Sequence, residues 1–326
     1  MPEVVVITGA SAGIGRATVR EFAKHGAHIG LLARGEDGLE GARKDVESLG
    51  GKALAIPTDI ADPEQVEAAA QKVEEELGPM DIWVNDAMTT VFSEFKNVTP
   101  EEFKRGTEVT YLGAVYGTMS ALKRMLPRDR GTIVQVGSAL SYRAIPLQSI
   151  YCGAKHGMRG FTDSVRTELM HDKSNVHITM VQLPGLNTPQ FDHCKSKMPY
   201  KPQPVPPIYQ PEVAADAIYW AAHHKRREMY VGASAAITII GNKLLPWLGD
   251  IYLAKTAYAG QQTDKRTSED RPSNLFEPVS GDSGAHGRFD DQAYDKSPQL
   301  WATKNRGLLA LGGLALAGAV YSALKR

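Results

Sequence analysis

Tyr151 and Lys155 have the residue types and the spacing that proton transfer to a carbonyl oxygen requires. A free tyrosine has a pKa of about 10 and therefore donates its proton reluctantly near neutral pH. A neighbouring ammonium group stabilises the phenolate and lowers that pKa. Residues four apart on a helix lie on the same face, so the two side chains are expected to meet. Taken alone, the pair is also what an ordinary amphipathic helix carries.

A second group of residues, near the N-terminus, could hold phosphate. Its glycines permit a tight turn, a close approach of the backbone to a pyrophosphate, and close packing of a helix on a strand. The N-terminus of the helix that follows presents unpaired N–H groups to an anion. The alternative is a glycine-rich turn without a ligand. The residues concerned are Thr8, Gly9, Ser11, Gly13, Ile14 and Gly15.

The elements that must position these residues are those of an α/β protein. As far as about residue 255, short apolar runs alternate with longer helical stretches, which predicts a parallel sheet wrapped in helices. Asp62 and Thr99 begin two helices with capping signals. We therefore predict a doubly wound parallel sheet of about seven strands with helices on both faces. The predicted strands are Val4–Thr8, His28–Ala33, Ala53–Thr58, Ile82–Asn85, Thr132–Val136, His177–Leu183 and Met229–Val231.

These motifs, in this order, resemble the short-chain dehydrogenase/reductase family in its single-domain, NADP(H)-preferring branch. The resemblance covers roughly residues 3 to 235 and implies a Rossmann-type sheet. It implies that Ser138, Tyr151 and Lys155 are catalytic, with Ser138 orienting the substrate oxygen. It also implies that Tyr151 and Lys155 contact the cofactor. The further cofactor contacts that it implies are Asp59, Ile60, Asn85, Ala87, Pro184, Gly185 and Thr188.

The end of the second strand indicates which nicotinamide cofactor is used. An acid there would bind the ribose 2′-hydroxyl of NAD, whereas an arginine accommodates the 2′-phosphate of NADP. Ala33 stands at the acid's position and Arg34 follows it. A guanidinium holds a phosphate by charge-assisted hydrogen bonds. NADPH/NADP+ is therefore the expected cofactor, and NADH is less favoured.

Two residues depart from the family pattern. Thr110 stands where the family often has a catalytic asparagine, and Met88 replaces a small glycine near the cofactor. The expected function is an NADPH-dependent interconversion of a carbonyl and an alcohol, with the proton from Tyr151. The departures keep a second hypothesis open, an NADPH-binding sensor or scaffold with weak or no catalysis. An epimerase or dehydratase would need a second substrate domain, which the tail does not resemble.

Composition limits the partners. Lys plus Arg and Asp plus Glu number 37 each, so no strong field favours nucleic acid. Cys152 and Cys194 have no metal-ligand spacing, and we expect no metal site. The expected partner is a small carbonyl or alcohol compound. Apolar and aromatic residues in the proline-rich segment after Thr188 favour a lipophilic one. By resemblance, the chain is expected to form a homodimer or homotetramer.

The C-terminal part divides into segments of different composition. Residues 1–258 are predicted to be the catalytic domain and 259–306 a polar linker or loosely docked tail, since few apolar residues offset its ordering entropy. Residues 307–324 lack charge and are a candidate membrane anchor or a docked helix. The apolar run Ile237–Leu253 is open to two interpretations: packing over the pocket or at a dimer interface, or contact with a membrane. The expected location is the cytoplasmic side, membrane-associated if the anchor inserts.

Overall fold

The computed structural model describes residues 2–268, 270–310 and 325. A seven-stranded, all-parallel sheet forms its centre, in the order β3-β2-β1-β4-β5-β6-β7. The order reverses between β1 and β4, and the carboxyl ends of the strands on either side of that point form a crevice. The strands are β1 Val4–Thr8, β2 His28–Ala33, β3 Ala53–Pro57, β4 Ile82–Asn85, β5 Thr132–Ser138, β6 His177–Leu183 and β7 Glu228–Tyr230.

Helices cover both faces of the sheet because its strands are apolar on both sides. On one face α1, α2 and α8 pack through residues such as Phe22, Val46 and Ile218. On the other, α3, α5 and α6 pack through residues such as Val73 and Leu169. The helices of the domain are α1 Gly13–Lys24, α2 Glu36–Ser48, α3 Pro63–Leu77, α4 Pro100–Thr107, α5 Gly113–Met125, α6 Ser149–His171, α7 Gln190–His193 and α8 Pro211–Ala222.

The predicted fold class is confirmed, and the boundaries follow local chemistry. Asp62 accepts hydrogen bonds from the N–H groups of Glu64 and Gln65 at the start of α3. Thr99 and Glu102 form the reciprocal capping box that begins α4. The helix that begins after Thr99 is followed by one π-helical turn, Glu108–Leu112, which separates α4 from α5. Such turns often occur at functional sites.

The chain continues past β7 with α9 Ala233–Leu244 and α10 Pro246–Gly260. A strand at Gln262–Arg266 then pairs with Tyr200–Pro202, and one at Ala293–Tyr294 pairs with Ile208–Tyr209. Helix α11, Pro298–Lys304, ends this part of the chain.

The composition of residues 259–306 predicts a linker or a loosely docked tail, but described residues in this range pack against the domain. Leu275 is completely buried, and Phe289 and Leu300 are 3% and 4% exposed. Leu275 packs with Val91 and Ile150, and Phe289 packs against Phe191. Two short strands of the segment also pair with strands of the domain. Composition does not reveal such isolated anchor points, because it averages over the segment.

The candidate anchor, residues 307–324, lies mostly outside the described residues, which end at 310 apart from 325. Within the described part of the chain, no helix combines the length and apolar character needed to cross a membrane.

Candidate active site

A groove of about 530 Å³ opens at the carboxyl ends of the central strands. This is where open α/β sheets bind their ligands. Most of the site residues expected from the sequence line it. They are Gly9, Ser11, Gly13, Ile14, Arg34, Asp59, Ile60, Ala87, Ser138, Tyr151, Lys155, Pro184, Gly185 and Thr188.

The catalytic end of the groove, defined by Ser138, Tyr151 and Lys155, is built from β5 and α6. Ser138 ends β5, and its Oγ accepts a hydrogen bond from the N–H of Leu140 at 3.1 Å. Lys155 Nζ lies 5.6 Å from the centre of the Tyr151 ring and donates to the carbonyl oxygen of Val136 at 2.6 Å. Lys155 is only 2% exposed, so its ammonium group is held in one place.

Burial controls the proton affinities at this end. It raises the pKa of Tyr151 above its ordinary value, and a hydrogen bond with Ser138 acts in the opposite direction. The sequence-based expectation of a lowered tyrosine pKa is therefore wrong here, because burial outweighs the other contributions. Burial also lowers the pKa of Lys155 to about 8, and the nearby Asp86 opposes that shift. At neutral pH the hydroxyl keeps its proton and Lys155 is mainly charged.

Asp86 is a buried carboxyl group between the glycine loop and Lys155. Burial raises its pKa to about 7, while Lys155 and a hydrogen bond from the N–H of Gly15 lower it. Thr8 Oγ1 accepts a hydrogen bond from the N–H of Asp86 at 3.0 Å and so fixes its backbone. No local sequence pattern places Asp86 near Lys155; the fold brings the two residues together.

Three residues expected to bind cofactor support the groove without lining it. Thr8 Oγ1 bridges two strands by accepting from Ala87 N–H at 3.1 Å and donating to Val84 O at 3.3 Å. Gly15 is required by close packing, since a Cβ there would lie 2.1 Å from the carbonyl oxygen of Gly9. Asn85 is buried and donates to Thr118 and Gln135 at 3.1 Å each. Direct cofactor contacts by these three residues stay predictions.

Thr110 lies at the π-helical turn and uses its hydroxyl for structure. Its Oγ1 donates to the carbonyl oxygen of Thr89 at 2.8 Å and accepts from the N–H of Thr89 at 3.0 Å. This pair of bonds joins the turn to the loop after β4. Met88, the other departure, lines the groove.

The arginine end of the groove, defined by Arg34, Asp59 and Arg105, lies beyond β2 and β3. Arg105 Nη2 pairs with Asp59 Oδ2 at 2.6 Å, so that carboxylate is neutralised. Arg34 donates from Nη1 to Phe276 O at 2.5 Å and from Nη2 to Asn274 O. Its expected role in binding a 2′-phosphate stays a prediction. The structure adds a contact with the C-terminal segment that the sequence did not suggest.

The shape of the groove fits a dinucleotide. Gly9 has φ +73°, and a Cβ there would lie 2.8 Å from Ala87 Cα, so the loop brings bare backbone to the cavity. Ser11 and Ile14 line the cavity at the N-terminus of α1, the end of a helix that favours anions.

Several groove residues escaped the sequence interpretation because they come from outside the motifs. They belong to the proline-rich segment after Thr188, to α9 and α10, and to the C-terminal segment. No local pattern marks them, although the density of Gly, Pro and Ser in the last segment is typical of a loop. They include His193, Thr238, Tyr252, Asn274, Pro278, Val279, Gly281 and Ser283.

Comparison with known proteins agrees with this architecture. The short chain dehydrogenase family matches residues 3–198. An uncharacterized oxidoreductase, YxnA, of Bacillus subtilis is 31% identical over 99% of this chain and 91% of its own. A 3-dehydrosphinganine reductase of Danio rerio is 36% identical over 57% of each chain. A fatty acyl-CoA reductase of Acinetobacter baylyi is 28% identical over 80% of this chain and 88% of its own.

Among solved structures, an alcohol dehydrogenase from the archaeon Thermococcus sibiricus, complexed with 5-hydroxy-NADP, is similar. Its TM-score is 0.62 at 25% identity, and the match covers 71% of this chain and 96% of the other.

Proposed function

The chain belongs to the short-chain dehydrogenase family and uses a nicotinamide cofactor, and on that premise we propose that it reduces a long-chain, lipophilic carbonyl compound with NADPH. The observation that carries the proposal is the meeting of Ser138, Tyr151 and Lys155 on the wall of the groove that the glycine loop also lines. The family motifs bring these three side chains together.

When bound, the reduced nicotinamide supplies the hydride. The chain's own residues handle the proton. Ser138 donates a hydrogen bond that orients the substrate oxygen, and the protonated Tyr151 hydroxyl gives its proton to the oxygen as negative charge develops. The buried Lys155 ammonium then stabilises the phenolate. Because Val136 O holds Nζ, little reorganisation is needed at that moment.

Support for NADPH over NADH comes from the arginine end. Ala33 ends β2 and Arg34 begins the loop after it. An NAD-selecting acid at this position would repel the 2′-phosphate. Asp59, which lines this end, is paired with Arg105, whereas Glu277 lies near Arg34 and partly offsets its charge. The Arg34 guanidinium is the group that we propose to meet the 2′-phosphate.

Support for a lipophilic substrate comes from the lining beyond the catalytic end. Apolar side chains predominate there, contributed by the loops after β4, β5 and β6 and by α10. The names of two relatives, a 3-dehydrosphinganine reductase and a fatty acyl-CoA reductase, point to the same class. The lining residues are Phe92, Leu140, Ile145, Leu186, Phe191, Val205, Tyr252 and Leu253.

We also propose that α9 and α10 dock on a lipid bilayer. Leu244 and Trp247 are 72% and 59% exposed, and Ile237 and Ile251 are exposed as well. The same helices line the groove through Thr238 and Tyr252, so the apolar face lies next to a cavity wall. Residues 307–324 carry no charge and are flanked by basic residues. This composition favours a membrane, rather than a second copy of the chain, as the partner of the apolar face of α9 and α10.

The docking proposal is tested by flotation with phosphatidylcholine/phosphatidylglycerol vesicles. Wild-type protein should float, and Trp247→Lys with Ile251→Lys should reduce the floated fraction severalfold. Met170→Lys, at a site 71% exposed on α6, is the matched control. Equal flotation of the double variant and the control would refute docking through this face.

The reductase proposal is tested by NADPH oxidation over carbonyl compounds of increasing chain length, with NADH in parallel and Tyr151→Phe as blank. Turnover that rises with chain length and vanishes in the variant is expected. Tight NADPH binding without turnover across the panel would contradict it and favour a sensor or scaffold.

A further inference from the structure

Residues 274–284, here called the strap, cross the arginine end of the groove. They lie outside residues 3–198, the part that the family matches. Yet the strap contributes directly to the cavity wall, through Asn274, Pro278, Val279, Gly281 and Ser283. A segment added after the family domain thus forms part of the cofactor groove.

One side of the strap is fixed by arginines of the groove. Arg34 donates to the carbonyl oxygens of residues 274 and 276, and Arg105 Nε donates to that of Leu275 at 3.1 Å. Three consecutive carbonyl groups are therefore held by two guanidinium groups. Hydrogen bonds from a charged donor are stronger than neutral ones.

The other side is fixed at the glycine loop and helix α1. Asp282 Oδ1 pairs with Arg16 Nη1 at 3.0 Å, and the Arg16 side chain is only 3% exposed. The N–H of Gly13 donates to Gly284 O at 3.0 Å. Asp37 Oδ2 accepts from the N–H of Gly281 at 2.8 Å. The strap therefore connects the arginine end of the groove to the glycine loop and to α1.

Burial is confined to the two ends of this segment. Leu275 is completely buried and Ala285 is 3% exposed, whereas every residue from 276 to 284 is partly or fully exposed. The middle has no buried side chain and is held by the polar contacts described above, and segments with few buried apolar contacts open at low cost. The middle can therefore lift while its ends stay attached.

We propose that the strap closes over the adenosine end of bound NADP(H), and that its opening limits the rate of cofactor exchange. The end of β2 is where this type of fold holds the adenosine ribose, and the strap lies directly on it. The inference rests on the family's cofactor and not on the carbonyl substrate.

A reversible cross-link tests the proposal. A Cβ at Gly35 would lie 3.6 Å from Pro278 Cβ, and a disulfide needs about 3.5–4.5 Å. In Gly35→Cys with Pro278→Cys, oxidation should lock the strap. Stopped-flow nicotinamide fluorescence should then show NADPH release and uptake both slowed at least about tenfold, since each passes the closed strap. Reductant should restore both rates.

The single variants Gly35→Cys and Pro278→Cys, treated with the same oxidant, are the matched controls. Asp282→Asn, at a side chain 40% exposed, should act in the opposite direction and speed NADPH release severalfold. Unchanged exchange rates in the oxidised double variant, with the disulfide verified by mass spectrometry, would overturn the proposal. Because the readout is binding, a failure to reduce any carbonyl compound would leave this result intact.

Discussion

The catalytic end and the arginine end of the groove differ in how the chain assembles them. Ser138, Tyr151 and Lys155 lie within 18 residues of one another, on β5 and α6. At the arginine end, Arg34 contacts carbonyl groups 240 and 242 residues further along the chain. Short-range elements therefore build the proton-transfer site, and a long-range contact closes the opposite end.

This difference separates two tasks. Proton transfer needs side chains held to within a fraction of an ångström, which a buried helix and strand provide. Cofactor exchange needs a wall that can move, which an exposed polar segment provides. Changes at the catalytic end should therefore alter the chemical step, and changes at the arginine end should alter cofactor binding.

The largest expected effect is that of Tyr151→Phe. Removing the hydroxyl removes the proton donor, so kcat should fall by about 10²–10⁴-fold. The NADPH dissociation constant should change less than about threefold, because the ring and its packing remain. Steady-state kinetics and fluorescence titration measure the two quantities. An equal loss of kcat and of NADPH affinity would mean that the catalytic end and the arginine end do not act independently.

Arg34→Ala should produce the reverse pattern. Losing charge-assisted hydrogen bonds costs about 1.5–3 kcal/mol, and each 1.4 kcal/mol is about tenfold in affinity. NADPH affinity should fall roughly ten- to hundredfold, with NADH affinity nearly unchanged. Arg130→Ala, at a side chain 72% exposed, is the control. A similar loss of affinity for NADPH and for NADH would mean that Arg34 acts by holding the strap and not by binding the 2′-phosphate.

Thr110→Val tests whether the π-helical turn supports the catalytic end. The variant leaves the buried N–H and C=O of Thr89 without the partners they now have. An unsatisfied buried polar group costs about 1–3 kcal/mol. We expect a lower midpoint of thermal unfolding and reduced kcat, with Thr110→Ser retaining both. Comparable losses in the serine variant would argue against the hydroxyl as the cause.

The smallest expected effect is a pH shift in Asp86→Asn. Activity that needs the Lys155 ammonium should be lost as pH rises through about 8, the pKa set by burial. The Asp86 carboxylate raises that pKa, so its removal should lower it and move the alkaline limb of kcat/KM to lower pH. Asp81→Asn is the control, because Asp81 precedes β4 whereas Asp86 follows it. If the alkaline limb of kcat/KM stays at the same pH, Asp86 does not affect the pKa of Lys155.

Much of the fold could be predicted because its signals are local. Four of the seven predicted strands, among them Val4–Thr8 and His177–Leu183, have the bounds that the structure shows. Buried parallel strands are continuous apolar runs, and helix caps are short motifs, so both are readable within a few residues. The same locally encoded strands and helices bring Ser138, Tyr151 and Lys155 together.

Other features depended on distant contacts. The packing of residues 261–305 rests on isolated side chains such as Leu275, whose burial partners Val91 and Ile150 are more than 100 residues away. The rise in the Tyr151 pKa depends on burial, which is a property of the whole fold.

The amino-acid sequence by itself determined the α/β class, the glycine loop, the Ser138, Tyr151 and Lys155 set and the basic residue that follows β2, since each is encoded in a short segment. Only the tertiary structure decided what surrounds them: Asp86 beside Lys155, Thr110 bonded to Thr89, and the strap across Arg34. Those contacts form between residues far apart in the chain. Their free energies depend on burial and geometry, which no local pattern records.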